Sequence, residues 1–224
     1  LVLLVHGRRG GEIPQELEDL AAELARRRGA PVVLQALTAA TPQVEPAFWR
    51  AAQRAAAVTL VPLLLLPGGH VRTDLPMIAA QWRAVALTQG VALRRRAFLG
   101  AWPAWQQAVA AAFRRQRVET GRRGVWLHHP LEGVLAERYV VHLSRVLDAP
   151  ALSATYSDPM ASLQAQHGGA LLLPLTLAAN RLSESLESAL PHPAVGPDQA
   201  EVLPPLLHWP PLHRVVLDAL TLLP

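Results

Sequence analysis

Short apolar runs alternate along this chain with amphipathic segments that have the spacing of helices. Residues 59–66 are almost wholly apolar, which is typical of a strand covered by helices on both faces. Residues 12–28 carry Leu17, Leu20 and Leu24 at helical spacing, with acidic residues early and arginines late, as the helix dipole favours. Because strands and helices follow one another in turn, the pattern predicts an α/β fold in which a parallel sheet has helices on both faces.

The same patterns place the other elements. Strands are predicted at residues 1–5, 32–37, 59–66, 91–98, 124–128, 151–156 and 170–177. Helices are predicted at residues 12–28, 45–56, 75–87 (with Asp74 as N-cap), 102–117, 131–147, 158–166, 182–190 and 210–222. The proline-rich residues 191–205 match neither pattern.

Three groups of residues recur in the same order in the two halves of the chain. They are Val5-His6 and Leu127-His128, Val61-Pro62-Leu63 and Leu173-Pro174-Leu175, and Trp102-Pro103 and Trp209-Pro210. This order predicts an internal duplication, with an N-terminal half at residues 1–118 and a C-terminal half at residues 119–224. A duplicated chain has no need of a second copy, so we expect a monomer.

Composition excludes several classes of protein. The 224 residues are 51% hydrophobic and include no cysteine, which excludes a disulfide framework, a thiolate metal site and a cysteine nucleophile. Pro62 and Pro67 interrupt the longest apolar run, and the apolar residues 1–5 are too few for a signal peptide, so we expect a cytoplasmic protein without a membrane span.

All 21 basic residues are arginine, and the net charge is +4. Arginine suits carboxylate and phosphate partners, so charge alone leaves a nucleic-acid-binding module open. The arginine runs at residues 26–28, 94–96 and 114–115 lie at predicted helix ends or on a weak strand and have no interleaved aromatic residues. They are therefore interpreted as solvated clusters, and we expect no nucleic acid as partner.

Two histidines follow predicted strands. His6 directly follows the first strand and His70 follows the third, where ligands bind in parallel α/β sheets. Gly7 allows a turn after His6, and Gly68 and Gly69 allow positive φ and the close approach of a ligand. Imidazole binds Co, Fe, Ni and Zn and accepts protons near neutral pH, so we expect both rings to share one metal, with their nearest nitrogens roughly 3–6 Å apart.

The same residues carry a family resemblance. The segment Val61-Pro62-Leu63-Leu64-Leu65-Leu66-Pro67-Gly68-Gly69-His70-Val71-Arg72-Thr73-Asp74-Leu75-Pro76 resembles the signature of the CbiX-type sirohydrochlorin chelatases, in which an apolar strand after Val-Pro-Leu leads to Gly-Gly-His-Val, two residues and Asp-Ile-Pro. Leu3-Leu4-Val5-His6-Gly7 is similar to the strand end of that family, Gly-His-Gly-Ser. Larger members of the family carry two such halves.

The resemblance implies a fold and an activity. It implies two flavodoxin-like, chelatase-like halves that face each other across a cleft, and a lyase-class chelatase that inserts Co²⁺ or Fe²⁺ into sirohydrochlorin on the way to cobalamin or sirohaem. The metal would be a substrate, with no permanent cofactor. His6 and His70 would handle the metal and the pyrrole protons, and Arg8, Gly68, Gly69 and Arg72 would bind the carboxylate-rich tetrapyrrole.

The chain departs from the family pattern at several positions. Val5 and Arg8 replace a glycine and a serine, and a family glutamate falls on Thr38, so that this chain would either manage without that glutamate or recruit Glu45 or Asp74. The second half keeps His128 and His129 but has Ala179-Asn180 where Gly-Gly-His would fall, which predicts one competent site, in the first half. These departures leave a second function open, that of a non-catalytic relative that binds a tetrapyrrole or a metal.

Overall fold

The first half of the chain forms a parallel four-stranded sheet, called the first sheet. We describe a computed structural model, in which residues 1–8, 11–39, 44–155, 166–189 and 198–223 are placed. The strands lie in the order β2-β1-β3-β4, and three helices follow them along the chain. Their bounds are β1 Val2–Val5, α1 Gln15–Arg28, β2 Val33–Ala36, α2 Pro46–Arg54, β3 Ala57–Pro62, α3 Leu75–Thr88 and β4 Ala92–Arg95.

The second half repeats this arrangement in a second sheet, with the strand order β6-β5-β7-β8 and parallel pairing throughout. The elements are α4 Pro103–Thr120, β5 Gly124–His128, α5 Val134–Leu147, β6 Ala151–Ser153, β7 Leu171–Pro174, α6 Arg181–Ala189, β8 Glu201–Val202 and α7 Pro210–Thr221. The predicted α/β class, with two similar halves that each contain a parallel sheet flanked by helices, is confirmed. Among the residues placed, no helix has both the length and the hydrophobicity needed to cross a bilayer.

Burial explains why these segments form these elements. All four residues of β1 are buried, because helices cover both faces of the sheet. Val2 and Leu4 belong to a core cluster with Ile78 and Trp82 of α3. In α1 the leucines at helical spacing are buried, and the helix ends at Gly29, whose positive φ of 58° closes it in a left-handed cap.

Each half of the chain contributes all or most of its last helix to the other half's compact unit. One unit comprises Leu1–Trp102 and Arg214–Pro224, and the other comprises Pro103–His213. In the first unit, Arg27 Nη1 lies 3.0 Å from Asp218 Oδ1 of α7, and in the second unit His142 Nε2 of α5 lies 2.9 Å from Gln106 Oε1 of α4. The predicted halves at residues 1–118 and 119–224 describe the duplication in the sequence, and their placement across a cleft stays a prediction.

The strand registers correct the predicted alignment of the two halves. Leu4 of β1 pairs with Pro62 of β3, and Leu127 of β5 pairs with Pro174 of β7. Leu4 therefore corresponds to Leu127. It follows that His6 corresponds to His129, so its predicted match with His128 is wrong by one residue. An apolar strand that ends in two histidines allows both alignments, and only the backbone pairing separates them.

The tryptophan anchors of the two halves do correspond. The indole Nε1 of Trp102 donates to the carbonyl oxygen of Ala97 at 2.9 Å, and that of Trp209 donates to Pro204 at 3.0 Å, five residues back in both cases.

Several predicted boundaries differ from the structure. The strand predicted at residues 59–66 ends at Pro62, although Leu63 still donates its backbone N–H to Leu4 at 2.8 Å. The two-residue strand β8 lies in the proline-rich segment where none was predicted. The helix predicted at residues 158–166 falls almost entirely outside the described residues.

Candidate metal-handling site

His6 and His70 are brought together at the carboxyl-terminal edge of the first sheet. His6 is the first residue after β1, and His70 begins the helical segment that leads into α3. The two ring centroids are 4.9 Å apart and the ring planes meet at 78°. Two nitrogens bound to one metal ion at about 2 Å each lie roughly 3–4 Å apart. The two imidazoles therefore lie side by side, and their sharing of one ion stays a prediction.

Close backbone packing holds the turn that carries His6. The backbone N–H of Leu37 donates to Val5 at 3.0 Å, so β2 pairs with β1 up to the residue before the histidine. A Cβ atom on Gly7 would lie 2.7 Å from the Cβ of Ala36 and 3.2 Å from the carbonyl oxygen of Glu12. Only glycine fits at position 7, and His6, directly before it, remains exposed.

His70 begins a π-helical turn that spans His70–Asp74. The backbone N–H of Leu75 donates to the carbonyl oxygen of His70, a five-residue spacing that inserts one residue relative to an α-helix. Asp74 itself has helical φ and ψ of −76° and −41°, and its side chain makes no capping hydrogen bond. The prediction of Asp74 as the N-cap of α3 is wrong, because the helical backbone already begins upstream of it.

The glycines before His70 do not have the predicted backbone conformation. Gly69 has a φ of −51°, and Gly68 does not have a positive φ either. The physical reason is that the helical segment starts at Gly69 and draws it into right-handed conformation. A Cβ atom on Gly69 would meet nothing within 4 Å, so this position borders open space.

Hydrogen bonds orient both imidazoles in the same way. Asp74 Oδ2 lies 2.5 Å from His70 Nδ1, and the carbonyl oxygen of Gly7 lies 3.1 Å from His6 Nδ1. A carbonyl oxygen and a carboxylate accept hydrogen bonds, so these contacts favour a proton on Nδ1 of each ring. In this tautomer the ring lone pair lies on Nε2, the nitrogen that can bind a metal ion or accept a proton.

The other residues singled out in the sequence lie around this edge. Arg8 is partly buried, with Nη1 3.8 Å from Glu12 Oε1, and Arg72 is exposed on the π-helical turn. Thr38 lies exposed in the turn after β2, and Glu45 is exposed directly before α2. Of the two acids considered as replacements for the family glutamate, Asp74 is the one that contacts a histidine.

The ligand set is small. Among the residues that the structure places, no group of three or more histidine and acidic side chains is arranged to enclose a metal ion. A closed four-ligand cage is typical of a structural metal, whereas two imidazoles leave coordination positions open.

In the second sheet, β5 ends at His128 and is followed by His129, and neither ring pairs with another imidazole among the described residues. His128 is 7% exposed, and its ring lies 5.0 Å from that of Trp126, whereas its neighbour His129 is exposed. Asn180 precedes α6 and accepts hydrogen bonds from the backbone N–H groups of Leu182 and Ser183, both at 3.0 Å. An N-cap therefore occupies the position where a second imidazole would be needed.

Residues 1–116 match the model of the CbiX family. The chain belongs to the CbiX family. This confirms the family predicted from residues 61–76, and the match contains both His6 and His70.

Solved structures of chelatases share the fold of this CbiX-family chain. SirB from Bacillus subtilis with Fe³⁺ is 16% identical, with a TM-score of 0.65 over 97% of this chain and 92% of its own. The sirohydrochlorin chelatase SirB from Bacillus subtilis subspecies spizizenii in complex with cobalt is 17% identical, with a TM-score of 0.62 over 97% of this chain and 91% of its own.

A multi-domain protein from Deinococcus radiodurans with structural similarity to chelatases is 21% identical, with a TM-score of 0.55. The match covers 99% of this chain and 54% of that protein, so this chain spans about half of its length. No curated protein sequence matches this chain significantly. At these identities, the structural likenesses establish the fold.

Proposed function

We propose that this CbiX-family protein is a metal chelatase that inserts Co²⁺ or Fe²⁺ into sirohydrochlorin. The observation that carries the proposal is the pairing of His6 and His70, with ring centroids 4.9 Å apart at the carboxyl-terminal edge of the first sheet. Membership of the CbiX family and a fold shared with sirohydrochlorin chelatases support the same activity.

In the proposed reaction, the two imidazoles hold the incoming ion and then release it to the macrocycle. Metal insertion exchanges one divalent cation for two pyrrole N–H protons, so the site must both bind a cation and accept protons. An unprotonated Nε2 atom can serve as a ligand, and once the ion has left it can accept a proton. Asp74 orients the ring of His70, because its carboxylate faces Nδ1.

The surroundings of the histidines suit an acidic macrocycle. Sirohydrochlorin carries eight carboxylates, and Arg8 and Arg72 lie beside His6 and His70 in the sequence, where their planar donors would bind such groups. Gly69 borders open space, which leaves room for the edge of the ring, and Gly68 directly precedes it. We keep these four residues as proposed substrate contacts.

An anaerobic metallation assay tests the proposal. Sirohydrochlorin is incubated with Co²⁺ or Fe²⁺, and its absorbance is followed with the wild type, His6→Ala, His70→Ala and His129→Ala. We expect the wild type to exceed the spontaneous rate and both variants in the first sheet to lose the acceleration. His129→Ala, the matched strand-end histidine of the second sheet, keeps it. Tight binding of the macrocycle without acceleration by the wild type would refute the chelatase and identify a non-catalytic carrier.

The same assay with both metals in competition identifies the preferred ion and hence the choice between cobalamin and sirohaem synthesis. Co²⁺, Fe²⁺ and Ni²⁺ all accept imidazole ligands, so selectivity must be measured. The monomeric state and the cytoplasmic location stay predictions.

A further inference from the structure

The arginine run Arg94-Arg95-Arg96 lies at the same edge of the first sheet as the paired histidines. β4 runs parallel to β3, with Thr59 opposite Arg94 and Leu60 opposite Arg95. Parallel strands bring their carboxyl ends to one edge, where ligands bind. Arg96 is the first residue after β4, as His6 is the first residue after β1.

The strand registers give the approximate distance between the Cα atoms of Arg96 and His6. Leu4 is level with Pro62 and Arg95 is level with Leu60, so Arg96 lies three residues below the level of His6 and two strands away. Strand spacings of about 4.8 Å and rises of about 3.3 Å per residue place the two Cα atoms roughly 14 Å apart. A tetrapyrrole centred above the histidines carries acidic side chains around its rim. Such a carboxylate and an extended arginine side chain would together bridge the distance between the two Cα atoms.

The backbone at Arg96 is held firmly while its side chain is exposed. The N–H of Arg96 donates to Leu60 at 2.9 Å, that of Gly100 donates to Leu64 at 2.9 Å, and Trp102 Nε1 donates to Ala97 at 2.9 Å. A Cβ atom on Gly100 would lie 1.9 Å from the carbonyl oxygen of Leu65, so this connection packs directly against the segment that leads to His70. Hydrogen bonds and close packing therefore fix the backbone of Arg96 relative to the segment that leads to His70.

The charges of the run are not neutralised within the part of the chain that the structure describes. Arg94, Arg95 and Arg96 are all exposed, and none forms an ion pair with a described residue. Arg27 and Arg117, by contrast, pair with acids at 2.9 and 3.4 Å. Three like charges without internal partners favour an anionic ligand that supplies carboxylates from outside.

We propose that Arg96 binds peripheral carboxylates of the tetrapyrrole and so sets its orientation over His6 and His70. This inference rests on the proposed function for its ligand, a carboxylate-rich macrocycle. The contact is a planar pairing of guanidinium with carboxylate. Arg96 contributes to affinity and register, and the exchange of metal for protons stays with the histidines.

Equilibrium binding of metal-free sirohydrochlorin tests this directly, because it needs no turnover. The dissociation constant is measured anaerobically by fluorescence for the wild type, Arg96→Gln, Arg96→Lys and Arg83→Gln. We expect Arg96→Gln to weaken binding about three- to tenfold and Arg96→Lys to weaken it less, since it keeps the charge but loses the fork of donors. Arg83→Gln, which removes an exposed arginine of α3, serves as the charge-matched control and binds like the wild type.

The outcomes separate this inference from the proposed function. If Arg96→Gln and Arg83→Gln bind metal-free sirohydrochlorin equally well, in protein that metallates it, the inference is overturned. The arginine run would then be explained as charged residues that prevent association at the edge strand. A wild type that fails to accelerate metallation would overturn the proposed function, whereas a selective loss of affinity in Arg96→Gln would still support the arginine contact. As a control, we expect Arg96→Gln to bind Co²⁺ with wild-type affinity, because the substitution leaves the histidines undisturbed.

Discussion

Asp74 Oδ2 lies 2.5 Å from His70 Nδ1, within a single π-helical turn. The carboxylate is thereby directed to the imidazole, and the backbone N–H groups that an N-cap would satisfy receive nothing from it. The motif that contains His70 and Asp74 thus links the imidazole that we propose as a metal ligand to an orienting acid through the geometry of one turn.

Asp74→Ala is expected to weaken Co²⁺ binding by about ten- to a hundredfold, because the acceptor that holds the proton on His70 Nδ1 is removed. Asp74→Asn keeps an oxygen acceptor without the charge and should lose less. Competition with a metal chelator measures both affinities, and Asp19→Ala on α1 controls for the loss of an exposed acid. Wild-type affinity in Asp74→Ala would show that the hydrogen bond plays no part in metal binding.

Deletion of Thr73 is expected to convert the π-helical turn into α-helix and to turn His70 away from His6. Since π-helical hydrogen bonding is the rarer geometry, the fold should tolerate the change, with a thermal midpoint within about 4 °C of the wild type. Co²⁺ affinity should fall at least tenfold on the loss of a shared ligand. Thr73→Ala keeps the register and serves as the control, and a deletion variant that binds Co²⁺ normally would contradict the role of the turn.

Gly7→Ala is expected to reduce the free energy of unfolding by about 1–3 kcal/mol, because the new methyl group would meet the Cβ of Ala36 at 2.7 Å. Gly69→Ala should be neutral or stabilising by up to about 1 kcal/mol, since its φ of −51° suits alanine and its Cβ would meet open space. Urea unfolding measures both. If Gly69→Ala also slows metallation at full stability, the space above Gly69 belongs to the substrate.

The stability of the second unit should fall at high pH through Tyr139. Burial raises the pKa of its phenol to about 12, against a hydrogen bond with Gln106 that lowers it. In the unfolded chain the phenol titrates near 10, so between about pH 10 and 12 the unfolded state loses its proton first and is favoured. Urea unfolding from pH 8 to 11.5 should show this loss, and Tyr139→Phe should show a smaller one. Identical pH profiles would contradict the assignment.

The two halves show how far pattern alone reaches. The predicted helix at residues 12–28 and the observed α1 differ mainly at the start, because leucines at helical spacing and a closing glycine define it locally. The strand predicted at residues 59–66 runs past its true end at Pro62, because a strand ends where its neighbour stops pairing, and neighbours are not visible in a local window. The match of His6 with His128 failed for the same reason.

The candidate site divides in a similar way. The order of strands and helices placed His6 and His70 at strand ends, and therefore at the same edge of one sheet. The partner of Asp74 did not, since an acid just before a helix is typical of an N-cap and only the π-helical turn redirects it. Arg96 looked like a solvated residue until the parallel pairing of β4 placed it at the same edge.

The amino-acid sequence by itself determined the α/β class, the family and the positions of His6 and His70 at strand ends. Periodicity, apolar runs and a contiguous motif are local properties of the chain. Only the tertiary structure decided the register of each strand, the exchange of the last helices, the partner of Asp74 and the position of Arg96 at the edge of the sheet. These depend on contacts between segments far apart in the chain, whose energies are set by packing and hydrogen bonding after the chain has folded.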